Sequence, residues 1–317
     1  MRKFIYKILA FILLTILAFS LILLFLPATP YASKSLLFAT LRKDSLLVNA
    51  PSPRIIFVGG SNLSFGLNSQ EIKDSLHINP INTAINVALG LKYMLENTLQ
   101  YVKKGDIVVL VPEYDHFFSD WDRYYEELFR IVFDVDKSKI CLLSFNFDQL
   151  RHHVKYANKV ISSRLHANEY LSLWESDIYS VNSFNKYGDV DAHWNLENIH
   201  NEFEPKAIDV TTYNPDVMAE IKYISNKFQE KGCIFLISYP CFQESSFNNS
   251  KEAIRKVEQE YYTNEFIILG SPERYMMPDS LMFDFVYHIN KQGVDRRTKF
   301  LIEDLKIVIN DSLGILK

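Results

Sequence analysis

The chain has 317 residues, of which 48% are hydrophobic and 23% charged, so it holds enough apolar material for one large core or two smaller ones. This composition excludes a disordered chain. The formal net charge of -4 provides no broad positive surface for a polyanion, and we find no local basic stripe, so we expect no nucleic acid among its partners.

The first 33 residues differ in composition from the rest. Nineteen uncharged residues run from Ile8 to Leu26. At about 1.5 Å per residue, a helix of this length nearly crosses the ~30 Å hydrocarbon core of a membrane. We therefore expect residues 1–33 to form an N-terminal membrane anchor and residues 34–53 to form a linker.

The charges around the apolar run indicate its orientation. Arg2, Lys3 and Lys7 precede the run, whereas Lys34 is the only cation that follows closely. Because basic residues collect on the cytoplasmic side, we expect a single-pass protein of the cell (inner) membrane, with a cytoplasmic N-terminus and a periplasmic or otherwise extracytoplasmic main domain. The alternative is a cleaved signal peptide, although the run is longer than a usual signal core.

From residue 54 onward, short β-branched runs alternate with amphipathic patterns, as expected for strands buried on both faces and the helices between them. The candidate strands are 55–58, 81–87, 107–111, 233–237 and 266–269. The candidate helices are 69–76 after an Asn68 cap, 92–102, 215–230, 250–262 and about 291–310. This order predicts an α/β domain over residues 54–317, in which helices cover both faces of a mainly parallel sheet of about five strands.

Residues from about 116 to 212 interrupt the alternation. We expect them to form a mostly helical insertion over the strand ends. Its large aromatic residues either build the insertion's own core, which is the simpler interpretation, or stack on carbohydrate. These residues are Trp121, Tyr124, Tyr125, Trp174 and Trp194.

The histidines and cysteines do not form a metal pattern. His152 and His153 are adjacent, so they point apart on a helix and do not form the paired helical spacing of a metal site. The three cysteines, Cys141, Cys233 and Cys241, are odd in number and widely spaced, which favours small buried side chains. We expect no bound metal.

Ser61 follows the first candidate strand directly after two glycines. Ligands of parallel α/β sheets bind outside the carboxyl ends of the strands, so a serine there is well placed for chemistry. Gly59 and Gly60 allow a sharp turn and close backbone approach, but a plain strand-to-helix turn needs the same residues.

Asp284 and His288 lie close together just ahead of the last candidate helix. An imidazole can take the proton of a serine hydroxyl, and a carboxylate can hold that imidazole in the required tautomer. The alternative is that Asp284 caps a turn and His288 is an ordinary structural histidine. A serine and this pair at opposite ends of one α/β domain favour the catalytic interpretation, in which His288 Nε2 lies within about 3.5 Å of Ser61 Oγ.

The motifs resemble those of the SGNH (GDSL-like) hydrolases, in particular membrane-anchored members among bacterial envelope and polysaccharide acylation proteins. Four stretches carry the resemblance: Phe57-Val58-Gly59-Gly60-Ser61-Asn62 with Gly66, Ile85-Asn86-Val87-Ala88-Leu89-Gly90, 108–115, and 284–293. The resemblance implies a doubly wound, flavodoxin-like three-layer α/β/α fold and a serine mechanism without a cofactor.

The resemblance also implies roles for individual residues. Ser61 would be the nucleophile, His288 the general base and Asp284 its orienting acid. The backbone N–H groups of Ser61 and Gly90 would face the oxyanion.

The family's third block, roughly Gly-x-Asn-Asp, reads Pro112-Glu113-Tyr114-Asp115 here and lacks the asparagine. Tyr114 stands in its place, and Asn62 is another candidate donor to the oxyanion. Alternatively, Glu113 faces the site, which would bring an anion close to the developing oxyanion. The loss of one such donor can slow a reaction about 100-fold to 1000-fold.

The expected function is therefore a membrane-anchored serine esterase or O-acyltransferase acting through an acyl-enzyme on acyl esters, most simply acetyl esters, of envelope glycans. A multispanning acyltransferase is a candidate partner. The altered third block leaves a catalytically inactive glycan- or partner-binding module as the second hypothesis. A purely structural anchored protein is the third, although it leaves the Ser61 and Asp284–His288 pattern unexplained.

Overall fold

The computed structural model describes residues 1–121, 126–173, 176–197 and 204–309. Its strands are β1 Arg54–Gly59, β2 Asn79–Asn82, β3 Ile107–Val111, β4 Ile234–Ser238, β5 Phe242–Gln243, β6 Ile267–Leu269, β7 Met276–Met277, β8 Met282–Phe285 and β9 His288–Ile289. Five of them form one parallel sheet in the order β2-β1-β3-β4-β6. The predicted α/β class and parallel sheet of about five strands are therefore confirmed.

Helices fill the connections between the strands. They are α1 Arg2–Phe25, α2 Ala39–Asn49, α3 Ser61–Ser64, α4 Ser69–Leu76, α5 Leu91–Tyr101, α6 Glu126–Arg130, α7 Phe147–Leu165, α8 Asn168–Leu171, α9 Pro215–Glu230, α10 Glu244–Asn249, α11 Lys251–Thr263, α12 Pro272–Tyr275 and α13 Lys291–Val308. The predicted helices correspond to α4, α5, α9, α11 and α13. The predicted end of the last one, Asn310, lies outside the described residues.

Alternate side chains of the central strands enter two separate cores, as strands buried on both faces require. Ile56 and Val58 of β1 belong to the larger core, together with side chains of α5 and α9. Ile55 and Phe57 point the other way, into a second core shared with α4 and α13. The sheet therefore carries helices on both faces.

The second strand differs from its predicted position at 81–87. It ends at Asn82, because the Asn82 amide donates to Leu63 O at 2.9 Å and its Oδ1 accepts from the N–H of Ala84. Asn86 then caps a 3₁₀ turn at Val87–Leu89 through the N–H of Ala88. These side-chain bonds take up backbone groups that a longer strand would pair.

The segment expected to be a linker is part of the folded domain. Residues 34–53 contain a 3₁₀ turn, Leu36–Phe38, and helix α2. Leu37, Ala39 and Leu47 are buried in the larger core. A linker assignment for 34–53 is thus wrong, because these apolar side chains pack on the sheet domain.

The expected insertion, 116–212, is helical only in its first part. It contains α6, a π-helical turn at Ile131–Val135, α7 and α8, and the described residues after 172 are irregular apart from short 3₁₀ turns. Tyr124, Tyr125 and Trp174 lie outside the described residues. Trp121 packs against the larger core and Trp194 against a small third one.

Within the described part of the chain, α1 is the one helix long and apolar enough to cross a membrane. It has 24 residues, and none of its side chains is buried. Its C-terminal end contacts the domain, where Leu23 packs against the larger core.

Candidate functional site

Ser61 begins α3 just after β1. The two positions before it, Gly59 and Gly60, leave little room for a side chain. A Cβ atom at Gly59 would lie 2.5 Å from Val111 O, and one at Gly60 would lie 2.7 Å from Glu113 Oε1. The two glycines thus allow the ends of β1 and β3 to approach closely, and Ser61 is held beside Glu113.

His288 and Asp284 are brought together by the β8–β9 hairpin, in which Phe285 pairs with His288. His288 Nδ1 lies 2.8 Å from Asp284 Oδ1. The other carboxylate oxygen, Oδ2, accepts a short hydrogen bond from the hydroxyl of Tyr179. Burial alone would raise the pKa of Asp284, but the hydrogen bonds from His288 and Tyr179 outweigh it and hold that pKa below its ordinary value.

The second nitrogen of His288, Nε2, is buried and has no hydrogen-bond partner within the described residues. The imidazole stacks on Phe65, with ring centroids 4.2 Å apart and 9° between the planes. Asp284 at Nδ1 and Phe65 on one ring face fix the orientation of the ring. Nε2 is therefore the nitrogen available to a reacting hydroxyl.

Ser61 does not hydrogen-bond His288 in this structure, contrary to the close approach expected from the motifs. Its Oγ instead donates to Glu113 Oε1 at 3.4 Å. Both side chains are nearly buried, with 8% of Ser61 and 5% of His288 exposed. The nucleophile candidate thus points toward Glu113, the acid that follows β3.

Glu113 forms the centre of the site. Its Oε1 also accepts from the backbone N–H of Asn62 at 3.1 Å and from the Asn62 amide at 3.4 Å. Only 1% of Glu113 is exposed. Desolvation raises its pKa, although the Asn62 N–H and the nearby His288 oppose this effect.

Asn62 connects Glu113 to a buried arginine. The guanidinium of Arg297, on α13, donates to Asn62 O at 2.6 Å and to Asn62 Oδ1 at 3.3 Å. Arg297 is 1% exposed and makes no ion pair with the described residues. Because both ends of the Asn62 side chain are engaged, it holds Arg297 and Glu113 in place and does not present a free donor to a substrate.

Two further candidates lie differently from their expected roles. Tyr114 is buried in the larger core with its ring 5.5 Å from Phe242, and its hydroxyl contacts neither Ser61 nor Glu113. Gly90 has φ +77°, which favours glycine, and its N–H donates to Val87 O at 3.1 Å. The Tyr114 hydroxyl therefore lies in the core and not against Ser61, and the Gly90 N–H is already used within the 3₁₀ turn.

A cleft of about 380 Å³ opens beside Glu113. Gly90, Trp121 and Phe285 line it, and the Phe285 ring also lies 5.4 Å from the His288 ring. Asp115 and Lys206, which also line the cleft, form an ion pair with 2.5 Å between Oδ1 and Nζ. A molecule that enters the cleft from solvent can therefore reach Glu113, the side chain to which Ser61 is hydrogen-bonded.

Sequence reasoning missed three residues of this site: Tyr179, Arg297 and His116. His116 faces the cleft, and its Nδ1–H donates to Glu113 O at 3.1 Å. Burial lowers its pKa to about 4, so it is neutral at neutral pH. Tyr179 lies in the irregular part of the insertion, where no local pattern marks it. Arg297 stands two turns into α13, and only its burial reveals it.

The described residues contain no group of three or more His, Cys, Asp or Glu side chains arranged to hold a metal ion. Cys233 and Cys241 are buried and free, as expected, whereas Cys141 is free but exposed.

The hydroxyl of Tyr179 provides a test of the histidine–carboxylate pair. Tyr179→Phe removes one hydrogen bond to Asp284 Oδ2 and leaves the ring, so it should slow any reaction in which His288 takes a proton by about 3- to 10-fold in kcat/KM. Because Asp284 loses a donor to its ionised form, the acid limb of the pH–rate profile should also shift. A structural role alone would lower the unfolding temperature and leave that profile unchanged.

Compared with known proteins, the chain matches no protein-family model and no curated protein.

Proposed function

We propose that this chain is a membrane-anchored serine esterase or O-acyltransferase of the SGNH type. The observation that carries the proposal is the His288–Asp284 pair. It leaves a buried Nε2 without a hydrogen-bond partner among the described residues, in a domain that also holds Ser61 at a parallel strand end. The strand order β2-β1-β3-β4-β6 supports the doubly wound, flavodoxin-like arrangement that this type of enzyme uses.

In the first half-reaction, the oxygen of Ser61 forms a bond to the ester carbonyl carbon. His288 Nε2 takes the hydroxyl proton, while Asp284 stabilises the resulting imidazolium through Nδ1. When the tetrahedral intermediate collapses, the bond to the leaving alcohol breaks and His288 returns the proton to that alcohol. This sequence requires the Ser61 hydroxyl to turn from Glu113 to Nε2 before attack.

The second half-reaction decides between hydrolase and transferase. Water attacking the acyl-serine releases an acid, whereas a sugar hydroxyl takes over the acyl group. Either acceptor can enter through the cleft beside Glu113, where Trp121 offers an aromatic surface suited to a sugar ring.

Glu113 supplies the feature that separates this site from a standard oxyanion hole. Its Oε1 accepts hydrogen bonds from the backbone N–H and the side-chain amide of Asn62. Its Oε2 has no hydrogen bond to the described residues. Protonated, the carboxyl can donate a hydrogen bond to the oxyanion; ionised, it repels that oxyanion. The neutral acid is thus proposed to replace the missing asparagine.

The proposed substrate class rests on the proposed membrane topology. With α1 spanning the membrane and the N-terminus in the cytoplasm, the cleft faces the periplasm or the cell exterior, where acylated envelope glycans lie. Contacts between α1 and the domain support an anchor that stays attached, because Arg164 donates to Ile22 O and Leu23 O at 2.8 Å. A multispanning acyltransferase in the same membrane would be a suitable acyl donor partner.

Covalent labelling by a fluorophosphonate probe tests the assignment of the nucleophile. We expect the wild-type chain to be labelled and Ser61→Ala to lose the label. Ser64→Ala is the matched control, since Ser64 is a buried serine of the same helix whose Oγ donates to Ile85 O, and it should be labelled as the wild type is. Equal labelling of wild type and Ser61→Ala would exclude Ser61.

A binding module without turnover is the second candidate, and the position of Glu113 favours it. An ionised Glu113 would fill the anion site at the start of α3 with the protein's own carboxylate. Such a protein would bind a glycan or a membrane partner equally well after Ser61→Ala and would show no labelling in either form.

A further inference from the structure

A group of large apolar side chains is exposed next to the end of α1. Leu165, Leu171 and Leu173 are 63%, 79% and 86% exposed. Soluble surfaces rarely gather such side chains without a partner. Their position relative to the membrane helix indicates what that partner is.

The chain leaving α1 is tied directly to this segment. Tyr31 N–H donates to Glu169 O at 3.2 Å, and Thr29 Oγ1 donates to Glu169 Oε2 at 2.7 Å. Thr29 follows the last residue of α1, Phe25, by only four residues, a reach of about 14 Å at most. Leu171 therefore lies close to the level at which the anchor leaves the hydrocarbon.

The same apolar surface continues along α7. Phe147, Leu150 and Val154 are 81%, 54% and 58% exposed. At 3.6 residues per turn, they share one face of the helix with Leu165. We define Phe147, Leu150, Val154, Leu165, Leu171 and Leu173 as the juxtamembrane patch.

Charges beside the patch suit lipid headgroups. Arg151 and Lys155 are exposed on α7 next to the apolar face and make no ion pair with the described residues. A helix with an apolar stripe and basic residues on its polar side is the pattern of an interfacial helix, whose cations face anionic headgroups.

The orientation of α7 is fixed with respect to the anchor. Arg164, which is buried, donates to the last carbonyls of α1 and pairs with Asp134 at 2.7 Å. A cation at a helix C-terminus is stabilised by the helix dipole. Because α1 also packs on α7, the patch cannot turn away from the membrane without breaking this junction.

We propose that the juxtamembrane patch lies in the headgroup and upper acyl-chain region of the bilayer, so that α7 holds the domain against the membrane surface. Continuity with α1 favours lipid over a protein partner, because the patch begins where the membrane helix ends. Docking of α7 requires α1 to span the bilayer and does not depend on the chemistry at Ser61.

Fluorescence quenching of the full chain in vesicles tests the proposal. One exposed cysteine is introduced at Leu150 or Leu171 in a Cys141→Ser background, in which the remaining Cys233 and Cys241 are buried. This cysteine is labelled with an environment-sensitive fluorophore. The labelled chain is then reconstituted in phosphatidylcholine–phosphatidylglycerol vesicles with or without brominated acyl chains. We expect brominated lipid to reduce the fluorescence of Leu150→Cys and Leu171→Cys. Tyr223→Cys and Tyr262→Cys, on α9 and α11, are exposed controls that should lose no fluorescence.

Aqueous iodide completes the comparison, because it quenches only labels in contact with water. The proposal would be overturned if iodide quenched the labels in the patch as strongly as it quenches the control labels while brominated lipid did not quench them. Labels shielded from both quenchers would also overturn it, since a protein partner or a second copy of the chain would then cover the patch. Since every labelled position is exposed, none of these variants disturbs the core.

Discussion

Replacing His288 with alanine should lower kcat/KM for p-nitrophenyl acetate by about 10⁴-fold or more. In the proposed mechanism, His288 Nε2, which has no hydrogen-bond partner among the described residues, takes the Ser61 proton, and Asp284 fixes the tautomer through Nδ1. The imidazole also stacks on Phe65, so a folding check by circular dichroism accompanies the rate measurement. His152→Ala, which removes an exposed histidine of α7, is the control and should keep the wild-type rate.

The double variant Ser61→Ala/His288→Ala makes this prediction sharper. Residues that act in one proton transfer lose activity as a unit, so the double variant should be no slower than either single variant. Losses that multiply would mean that Ser61 and His288 act independently, and the shared mechanism would then be wrong. Single variants with the full wild-type rate would contradict both roles.

The fold was predictable where one physical signal dominates. β1, β3 and β4 are continuous apolar runs buried on both faces, and α9 begins and ends at the predicted residues because Asn214 caps it before Pro215. The end of β2 was not predictable, since it depends on a bond between Asn82 and Leu63, 19 residues apart. The local pattern at 81–87 contains no trace of that contact.

The candidate site shows the same division. Ser61, Asp284 and His288 were found through local motifs, and the 2.8 Å contact between Asp284 and His288 follows from a hairpin that keeps them on adjacent strands. The contact between Ser61 and Glu113 depends on the register of two strands, in which Gly59 pairs with Val111. Sequence alone placed Glu113 among the candidates without indicating which group it would meet.

Glu113 decides what the site can do, because a carboxylate and an oxyanion cannot both be stabilised by the same donors. Its Oε1 takes the Asn62 N–H and holds the Ser61 hydroxyl. In the proposed mechanism, an ionised Glu113 therefore keeps the Ser61 hydroxyl away from His288 and repels the negative charge of the transition state. Burial, which raises the pKa of Glu113, extends the pH range in which the acid is neutral.

Glu113→Gln should accordingly remove the alkaline decline of the pH–rate profile. In the wild type, kcat/KM should fall about tenfold per pH unit above the raised pKa of Glu113, because only the neutral acid can donate to the oxyanion. Glutamine stays neutral and keeps an oxygen for the Asn62 N–H, so its profile should lack this decline at high pH. Steady-state hydrolysis of p-nitrophenyl acetate across the pH range measures both profiles.

Stability provides a second readout for the same substitution. Because folding raises the Glu113 pKa, its contribution to stability is complete below the ordinary value of 4.5 and is lost as pH rises through the raised pKa. Glu113→Gln should therefore increase the free energy of unfolding relative to wild type at alkaline pH, by about 1.4 kcal/mol for each unit by which the pKa is raised. Denaturant unfolding at acidic and alkaline pH compares the two chains.

Asp115→Asn separates Glu113 from the other carboxylates of the cleft. Asp115 lies two residues away and pairs with Lys206 and the Tyr287 hydroxyl, so its neutral variant should keep the alkaline decline. Glu113→Ala, which leaves the Asn62 N–H without its acceptor and provides no donor, should be slower than Glu113→Gln by about 100-fold to 1000-fold at every pH. A folded Glu113→Gln chain that is inactive throughout would mean that Ser61 needs a carboxylate base, and the neutral-acid role would then be wrong.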